Sequence, residues 1–311
     1  MSGESAVQVL ELTRRFGERV AVDALSFTVA PGELFGLVGP DGAGKTTTLR
    51  LLAAVLRPTA GDALILGHSV VRAPEAVKRE LAYMSQRFGL YADLTVRENL
   101  DFYADLYRVP RAERPARRER LFAFSGLGPF QSRLAGQLSG GMKQKLGLSC
   151  ALIHQPRLLL LDEPTFGVDP VSRRQLWLIV HEMVSRGTTV VVSTSYMDEA
   201  ERMDRVALLH QGRIVALDSP ERVQARLAGA VYGVRVDDAR RGRGVLQAVS
   251  GVRRVVLFGD SLHVTVDPVR AGAEALQQAL EAAGLAVLEV RPVEPSMEDA
   301  FIEHITAVVT T

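Results

Sequence analysis

The run GPDGAGKT, from Gly39 to Thr46, has residue types at a spacing suited to holding phosphate groups. It fits the pattern G-x-x-x-x-G-K-[ST], in which the glycines let successive backbone N–H groups converge on phosphate oxygens without clashes from Cβ atoms. A helix-forming stretch follows, so the positive N-terminal end of that helix would face the same phosphates. Lys45 would reach the outer phosphates, and the Thr46 hydroxyl group would bind Mg²⁺. The residues that this pattern places around the phosphates are Gly39, Asp41, Gly42, Ala43, Gly44, Lys45, Thr46 and Thr47.

An acidic run, LLLLDEP, supplies the negative groups that such a site needs. Its four leucines predict a buried strand that delivers Asp162 and Glu163 to the carboxyl edge of a sheet, where ligands bind in open α/β folds. Asp162 suits the coordination sphere of Mg²⁺, and Glu163, which faces elsewhere, suits polarising an attacking water molecule. Taken alone, an Asp-Glu pair at a strand end also fits a helix cap or a surface charge. Its combination with the phosphate pattern favours the catalytic interpretation.

The elements around these motifs predict how the motifs come together. Short apolar runs alternate with longer amphipathic stretches, which favours a largely parallel sheet with helices on its faces. Continuous apolar runs at Glu33–Gly39, Arg157–Asp162 and Thr188–Thr194 are typical of strands covered on both faces. Between Thr95 and Ile153 the pattern is mostly helical, which predicts a helical insertion in the α/β core.

After about Ala230 the sequence predicts a second, smaller domain. Strand and helix patterns run in the order β-α-β-β-α-β, which matches the split βαβ arrangement of ferredoxin-like domains. We therefore predict domains at residues 1–229 and 230–311. A last short helix opens with Ser296 as its cap and Asp299 at the third position after it.

Composition limits the class of partner. The 311 residues are 47% hydrophobic and 23% charged, which is ordinary for a globular protein. Lys and Arg number 37 against 36 Asp and Glu, so the net charge is only +1 and gives no reason to expect nucleic-acid binding. One local basic run, Arg108–Arg120, fits either a solvated helical face or a patch near an anionic membrane surface.

Three further features bear on where the protein works. Cys150 is the only cysteine, so no intrachain disulfide can form, and its apolar helical setting favours a small core residue over a reactive thiol. The N-terminal residues lack the basic-then-apolar layout of a signal peptide. No apolar run approaches the roughly 20 residues that span a bilayer. We therefore expect a cytosolic chain that meets a membrane through a partner.

The run LSGGMKQKL, Leu138–Leu146, decides the family. Together with GPDGAGKT and LLLLDEP it resembles the ATP-binding cassette (ABC) ATPases, over about the first three-quarters of the chain. The resemblance implies an α/β P-loop NTPase (RecA-like) core with an antiparallel β subdomain, a helical insertion at about residues 88–153, and a small α+β C-terminal domain. It also implies that Ser139, Gly140 and Gly141 close over ATP held by another subunit, with backbone N–H groups and a helix N-terminus aimed at the γ-phosphate. ATP and Mg²⁺ are the implied cofactors.

Three other residues take roles from the resemblance. Phe16 resembles the aromatic residue that stacks on adenine, although a core position on an edge strand also explains it. Gln86 resembles the glutamine that contacts Mg²⁺ and the nucleophilic water, and the segment after it resembles the docking face for a transmembrane partner. Asp169 resembles the loop aspartate that communicates across the dimer, and a helix cap before Pro170 explains it nearly as well.

Two segments narrow the branch. Tyr196–Pro220 and Glu294–Ile305 resemble the ATPase subunits of bacterial drug or polysaccharide exporters, the daunorubicin-resistance-like (ABC-2) branch, in which the cassette and the permease are separate chains. The resemblance implies an ATPase on the inner face of the cell membrane, attached through a transmembrane permease and paired with a second ABC ATPase subunit. A cassette acting on ribosomes or DNA is a rival interpretation. Such proteins usually carry two cassettes or a long coiled coil, and this sequence shows neither feature. The net charge near zero also disfavours this interpretation.

Ser195 departs from the family pattern. The family places a histidine after the strand VVVST, in contact with the γ-phosphate of ATP in its own cradle, whereas this chain has serine. A serine hydroxyl group is shorter and neutral, so we expect the site to bind ATP and to hydrolyse it slowly. Asp41 also stands where the family commonly has asparagine. We therefore favour a heterodimer with a cassette that retains its histidine, as in tandem exporter ATPases, whose first half this chain resembles. A homodimer, or a nucleotide-sensing subunit that hardly hydrolyses ATP, is the alternative.

Overall fold

The structure is a computed structural model that describes residues 5–86, 89–227 and 229–309, without the side chains of 306–309. The chain splits into two compact units, Met1–Ser219 and Pro220–Thr311. Two 3-10 turns, Gly128–Phe130 and Ala135–Gln137, lie within the first unit. The strands and helices of that unit are β1 (Val7–Phe16), β2 (Arg19–Val29), β3 (Leu34–Val38), α1 (Lys45–Leu52), β4 (Ala60–Ile65), β5 (His68–Ser69), α2 (Pro74–Glu80), β6 (Leu81–Met84), α3 (Val96–Leu106), α4 (Arg114–Ser125), α5 (Gly140–Leu152), β7 (Leu158–Asp162), α6 (Pro170–Ser185), β8 (Thr189–Thr194), α7 (Met197–Ala200), β9 (Arg205–His210) and β10 (Arg213–Asp218).

A six-stranded sheet forms the centre of the first unit, in the order β10-β9-β3-β8-β7-β6. Its strands are parallel except for the antiparallel pair β9 and β10. Every residue of β3, β7 and β8 is buried, as their continuous apolar sequences predict for strands covered on both faces. Because β3, β8 and β7 are neighbours, the loops that follow them meet at one edge of the sheet.

A second, antiparallel sheet has the order β2-β1-β4-β5 and shares a hydrophobic core with α1 and the central sheet. This is the antiparallel subdomain implied by the sequence resemblance. It carries Phe16 at the end of β1, where the tight turn to β2 pairs Phe16 with Arg19. The turn therefore brings an aromatic and a cationic side chain to the same end of the sheet.

The predicted helical insertion consists of α3, α4 and α5; Phe88, where it was expected to begin, lies outside the described residues. Thr95 caps α3 in a reciprocal box with Glu98. The fully buried amide of Asn99 donates to the backbone carbonyls of Tyr91, Leu94 and Thr95. These hydrogen bonds satisfy an otherwise irregular segment and fix the loop that enters α3.

The basic run of α4 is a helical surface on which three arginines have acidic partners. Ion pairs of this kind favour the solvated-face interpretation of the basic run. The ion pairs, each 2.5 Å long, are Arg114–Asp105, Arg117–Glu113 and Arg118–Asp101.

Cys150 lies in α5 and is buried. Burial raises the pKa of its thiol well above the usual value, which fits a core residue.

The second unit has the predicted β-α-β-β-α-β order after a first short helix. Its elements are α8 (Pro220–Ala225), β11 (Ala230–Val236), α9 (Ala239–Gln247), β12 (Val252–Phe258), β13 (Ser261–Val266), α10 (Ala273–Ala282), β14 (Val287–Val293) and α11 (Met297–Val309). Its four-stranded antiparallel sheet runs β12-β13-β11-β14, the arrangement of a ferredoxin-like fold. The unit begins about ten residues before the predicted boundary at Ala230, because α8 packs against the last helix, α11. Among the described residues, none of the helices combines the length and the hydropathy of a membrane-spanning segment.

Helix α11 begins with the predicted cap. Ser296 Oγ accepts from the Asp299 backbone N–H (3.1 Å), and Asp299 Oδ2 accepts from the Ser296 N–H (3.0 Å) and hydroxyl group (2.7 Å). His263 Nδ1 lies 2.8 Å from the same carboxylate oxygen, so β13 anchors the helix. Burial opposes ionisation of Asp299, but hydrogen bonds from His263 and Ser296 outweigh it and hold its pKa below the usual value. This stabilisation is complete above about pH 4 and is lost as the pH falls through the lower folded pKa.

We expect Asp299→Ala to loosen the start of α11, because it removes both the capping box and the His263 contact. A lost cap costs about 1–2 kcal/mol, so hydrogen exchange at the first amides of α11 should accelerate roughly five- to thirtyfold. Hydrogen–deuterium exchange followed by mass spectrometry measures this rate. Glu298→Ala on the same helical turn is the matched control, and equal acceleration in both variants would contradict the anchoring role of Asp299.

Candidate nucleotide site

The loop between β3 and α1 requires glycine at two positions, for different reasons. Gly44 has φ +107°, and a Cβ atom there would lie 2.6 Å from the Ala21 carbonyl oxygen. Gly39 has an ordinary φ, but a Cβ atom would lie 2.3 Å from the carbonyl oxygen of Leu209. The loop therefore depends on a left-handed residue at one end and a close backbone approach at the other.

Backbone carbonyl groups of this loop hold the Lys45 side chain beneath it. Its ammonium group donates to the carbonyl oxygens of Gly39 (2.8 Å) and Pro40 (3.1 Å). It also lies 3.2 Å from Glu163 Oε1, although the lysine side chain is only 4% exposed. A buried cation is thus fixed against the loop, and it supplies the positive charge that outer phosphates need.

The carboxylate of Asp162 is almost fully buried and receives three hydroxyl groups. Thr46 Oγ1 donates to Oδ1 (2.8 Å), Ser193 Oγ donates to Oδ1 (2.7 Å), and Tyr83 donates to Oδ2 (3.1 Å). Burial, together with the Asp162 charge, raises the pKa of Tyr83 to about 12, so this phenol remains a donor at neutral pH. Ser193 and Tyr83 were not predicted from the sequence; the only sequence signal for Ser193 is a hydroxyl residue inside an otherwise apolar buried strand.

These oxygen atoms fit Mg²⁺. The Thr46 hydroxyl group and the Asp162 carboxylate are hard oxygen ligands in direct contact, and Mg²⁺ is usually held by one or two carboxylates together with substrate phosphates. In the described part of the chain no group of three or more His, Cys, Asp or Glu side chains forms a metal site. The donor set therefore suits an ion that arrives with a nucleotide.

Glu163 turns away from Asp162 because its backbone is left-handed, with φ +48°. A non-glycine residue in this region costs on the order of 1–3 kcal/mol and persists where the surroundings hold it. Here the Glu163 N–H donates to the carbonyl and hydroxyl oxygens of Ser193, each at 3.1 Å. Glu163 Oε2 accepts from Gln86 Nε2 at 3.0 Å, so the two residues expected to handle water are in contact.

A cavity of about 480 Å³ opens over these groups. Phe16 is 47% exposed at its edge, with the Arg14 guanidinium 4.6 Å from its ring, so its exposure does not match the alternative of a core aromatic. Arg19 and Phe166 also line the cavity and were missed; the Phe16–Arg19 turn was the available signal for Arg19. The lining residues are Phe16, Arg19, Ala21, Asp41, Gly42, Gly44, Lys45, Thr46, Thr47, Gln86, Glu163 and Phe166. The predicted residues buried beneath them are Gly39, Ala43 and Asp162.

Other predicted residues lie outside the lining of this cavity, at helix starts. Ser139 caps α5 by accepting from the Met142 N–H (3.3 Å). Asp169 caps α6 by accepting from the Ser172 N–H (2.9 Å), as the simpler explanation predicts, and this backbone hydrogen bond lowers its pKa. The two helix starts approach closely, since a Cβ atom on Gly141 would lie 2.4 Å from Ser172 Oγ. Gly140 opens α5 beside Gly141.

Ser195 also lies outside the cavity lining, directly after β8. The preceding residue, Thr194, accepts from the Gly39 backbone N–H through its carbonyl oxygen (3.2 Å). The end of β8 is therefore attached to the first residue of the phosphate loop, and Ser195 follows this attachment in a half-buried position.

Comparisons with known proteins agree with this geometry. A family model described as "ABC transporter" matches residues 22–166, and one described as "ATP-binding protein DrrA1-3-like, C-terminal domain" matches residues 219–305. The daunorubicin/doxorubicin resistance ATP-binding protein DrrA of Streptomyces peucetius is 34% identical, over 96% of this chain and 91% of its own length. The chain belongs to the ABC transporter ATP-binding family.

Two other ABC proteins complete the comparison. The probable multidrug ABC transporter ATP-binding protein YbhF of Escherichia coli K12 is 40% identical over 96% of this chain, which spans only 52% of YbhF. A solved dimeric structure of the ATP-binding cassette MJ0796, in a post-hydrolysis state bound to ADP and Pi, is 25% identical with a TM-score of 0.63. It covers 68% of this chain and 98% of that chain. The ABC ATPase fold predicted from the sequence is therefore confirmed.

We expect Ser193→Ala to weaken Mg²⁺ binding in this ABC cassette, because Ser193 orients the Asp162 carboxylate. Removing a residue that orients a metal ligand typically costs ten- to hundredfold in metal affinity. The Mg²⁺ dependence of binding of a fluorescent ATP analogue measures this shift. Thr189→Val is the matched control, since Thr189 is buried at the other end of β8 and accepts from Gly32. The same Mg²⁺ dependence in both variants would rule out the role of Ser193.

Proposed function

We propose that the chain is the ATP-binding and ATP-hydrolysing subunit of an ABC exporter that drives a separate permease. The proposal rests on two pairs of side chains that meet at one edge of the central sheet. Lys45 lies 3.2 Å from Glu163, and Thr46 donates to Asp162 at 2.8 Å. A cation, a metal-binding pair and a carboxylate base are the groups that cleavage of a terminal phosphate requires.

Each group has a distinct task in this proposal. Lys45 and the loop N–H groups would hold the outer phosphates. Thr46 and Asp162 would hold Mg²⁺, which would neutralise phosphate charge when bound. Gln86 orients a water molecule and Glu163 accepts its proton as the water oxygen bonds to the γ-phosphorus. The bond from that phosphorus to the bridging oxygen breaks, and ADP leaves with the electron pair.

The proposal includes a second cassette. Ser139 and Gly140 lie outside the cavity of their own chain, at the N-terminus of α5, where backbone N–H groups are free of helix partners. An N-terminus of this kind suits a phosphate held by another chain. The solved MJ0796 cassette is a dimer and is 25% identical to this chain, which supports the proposal of a second cassette.

A permease is the proposed membrane partner, and the chain would lie on the cytoplasmic face through it. A cavity of about 840 Å³ beside α2 and α3 offers a docking surface. Val55 and Leu106 on its wall are 64% and 59% exposed. Lys78, Arg79 and Arg108 also line it, and although Lys78 is paired with Glu75 of the same lining at 2.7 Å, the net charge is positive. The cavity fits an apolar segment with acidic ends. The names of YbhF and DrrA, which refer to multidrug and daunorubicin/doxorubicin resistance, support drugs as cargo.

Ser195 leads us to propose a slow site in this chain. Its hydroxyl group is too short to replace a histidine at the γ-phosphate, and a second subunit leaves this defect unchanged because position 195 serves its own cradle. A heterodimer with a histidine-containing cassette is therefore favoured over a homodimer. The rival function, a nucleotide sensor that hardly hydrolyses ATP, draws on the same residue, but the Glu163–Gln86 contact favours hydrolysis.

Replacing the base tests the enzymatic proposal. Glu163→Gln keeps the side-chain shape and removes the proton acceptor, so ATP hydrolysis should fall by about a hundredfold or more. ATP affinity should stay within a few-fold, and Mg-ATP should accumulate a dimer that light scattering detects. Unchanged hydrolysis would eliminate Glu163 as the base. A monomer at saturating Mg-ATP, with candidate partner cassettes present, would overturn the transporter proposal.

Restoring histidine tests the slow-site proposal. A hydrogen bond to a charged group is worth about 1.5–3 kcal/mol, so Ser195→His should raise turnover about ten- to hundredfold if the bond forms mainly in the transition state. Steady-state ATPase assays of purified protein measure the change. Ser195→Ala is the control and should differ little from the parent chain. A rise of less than about threefold in Ser195→His would show that position 195 is not the bottleneck.

A further inference from the structure

A carboxylate outside the nucleotide cavity is completely buried beside the Ser195 segment. Glu199, in α7, is 0% exposed. Its Oε2 accepts from the Thr194 hydroxyl group at 2.6 Å, and its Oε1 accepts from the indole N–H of Trp177 at 3.2 Å. Arg173 Nε lies 3.7 Å from the same Oε1. A buried charge persists only with such partners. These contacts therefore define one cluster, in which Trp177 and Glu199 are buried and Arg173 is half-buried.

The cluster holds the residues on both sides of Ser195. On one side, the Thr194 hydroxyl group donates to Glu199 and accepts from the Tyr196 N–H at 3.1 Å. On the other side, the Arg173 guanidinium lies over the Tyr196 ring, 4.2 Å from its centre. A stacked guanidinium in this geometry is an attractive and directional contact. The cluster therefore holds the segment from Thr194 to Tyr196 at both of its ends.

The other attachment of the cluster is α6. Arg173 and Trp177 lie one turn apart on this helix, and the Arg173 N–H donates to the Asp169 carbonyl oxygen at 2.8 Å. Asp169 is the cap of α6, next to the start of α5. A displacement of the start of α6 would therefore move Arg173, and with it the ring of Tyr196.

We propose that Arg173, Trp177 and Glu199 are positioning residues for ATP hydrolysis, which fix residue 195 relative to the start of α6. The inference rests on the proposed function and extends it to a cluster that does not touch the nucleotide cavity. The cluster sets where position 195 lies when the start of α6 is engaged in the dimer. Loss of the Arg173–Tyr196 contact leaves the phosphate loop intact and misplaces the segment that faces the reacting phosphate.

The first experiment compares two adjacent arginines. Arg173→Met removes the cation of the cluster, whereas Arg174→Met changes an exposed side chain on the same turn and is the matched control. We expect kcat to fall about tenfold or more in Arg173→Met, with the KM for ATP within about twofold, and no change in Arg174→Met. Arg173→Lys should recover part of the rate, since it restores the charge without the planar stack. Equal rates in Arg173→Met and Arg174→Met would overturn the proposal.

The second experiment uses Trp177, which is the only tryptophan of the chain. In a Glu163→Gln background, Mg-ATP should change the tryptophan emission of the full chain, and Arg173→Met should reduce that change by at least half. Tyr196→Leu removes the same stacked contact from the other side and serves if Arg173→Met fails to fold. Tyr196→Phe keeps the ring and should respond like the parent.

The outcomes separate the two proposals. An emission response that persists unchanged in both Arg173→Met and Tyr196→Leu would overturn the positioning role, even if ATP hydrolysis is normal. A chain without ATPase activity that still shows the Arg173-dependent response would contradict the proposed enzymatic function and retain the link between α6 and the Ser195 segment.

Discussion

The buried carboxylate of Asp162 is the interaction on which the site depends. A charge at the end of a buried strand costs several kcal/mol unless it is compensated, and a hydrogen bond to a charged group returns about 1.5–3 kcal/mol. Three hydroxyl donors, Thr46, Ser193 and Tyr83, provide that compensation from α1, β8 and β6. The same carboxylate that is suited to Mg²⁺ therefore holds together the elements around the phosphate loop.

Glu163, the residue after Asp162, lies in a different environment. The left-handed backbone of Glu163 directs its side chain to Lys45 and Gln86 instead of to the hydroxyl donors. Two consecutive carboxylates thus occupy different environments at one strand end. Because outer phosphates compete for the Lys45 ammonium group, arrival of a nucleotide would replace the Lys45–Glu163 contact. In the proposed function, Glu163 would then be free to accept a proton from water once the nucleotide has bound.

Local sequence predicted the strands, the phosphate loop and the order of the second unit, because each depends on a run of neighbouring residues. Ser193 and Tyr83 were missed because their roles depend on strand order and register: β8 pairs with β7 so that Ser193 lies directly opposite Asp162. Glu199 was missed for a similar reason, since its partners Arg173 and Trp177 are on another helix. The boundary at Ala230 was displaced because the contact of α8 with α11 joins distant parts of the sequence.

The contacts around Ser195 bear on the proposed slow site. Thr194 is buried and bonded to both the phosphate loop and Glu199, and Tyr196 is stacked under Arg173. These contacts are made by the backbone and by the neighbouring side chains, so they do not depend on which side chain stands at position 195. In the proposed function, the support for a residue at position 195 that faces the γ-phosphate would therefore be intact, and the difference would lie in the reach and charge of one side chain. A site built in this way can bind ATP with full order and still lack one stabilising contact in the transition state.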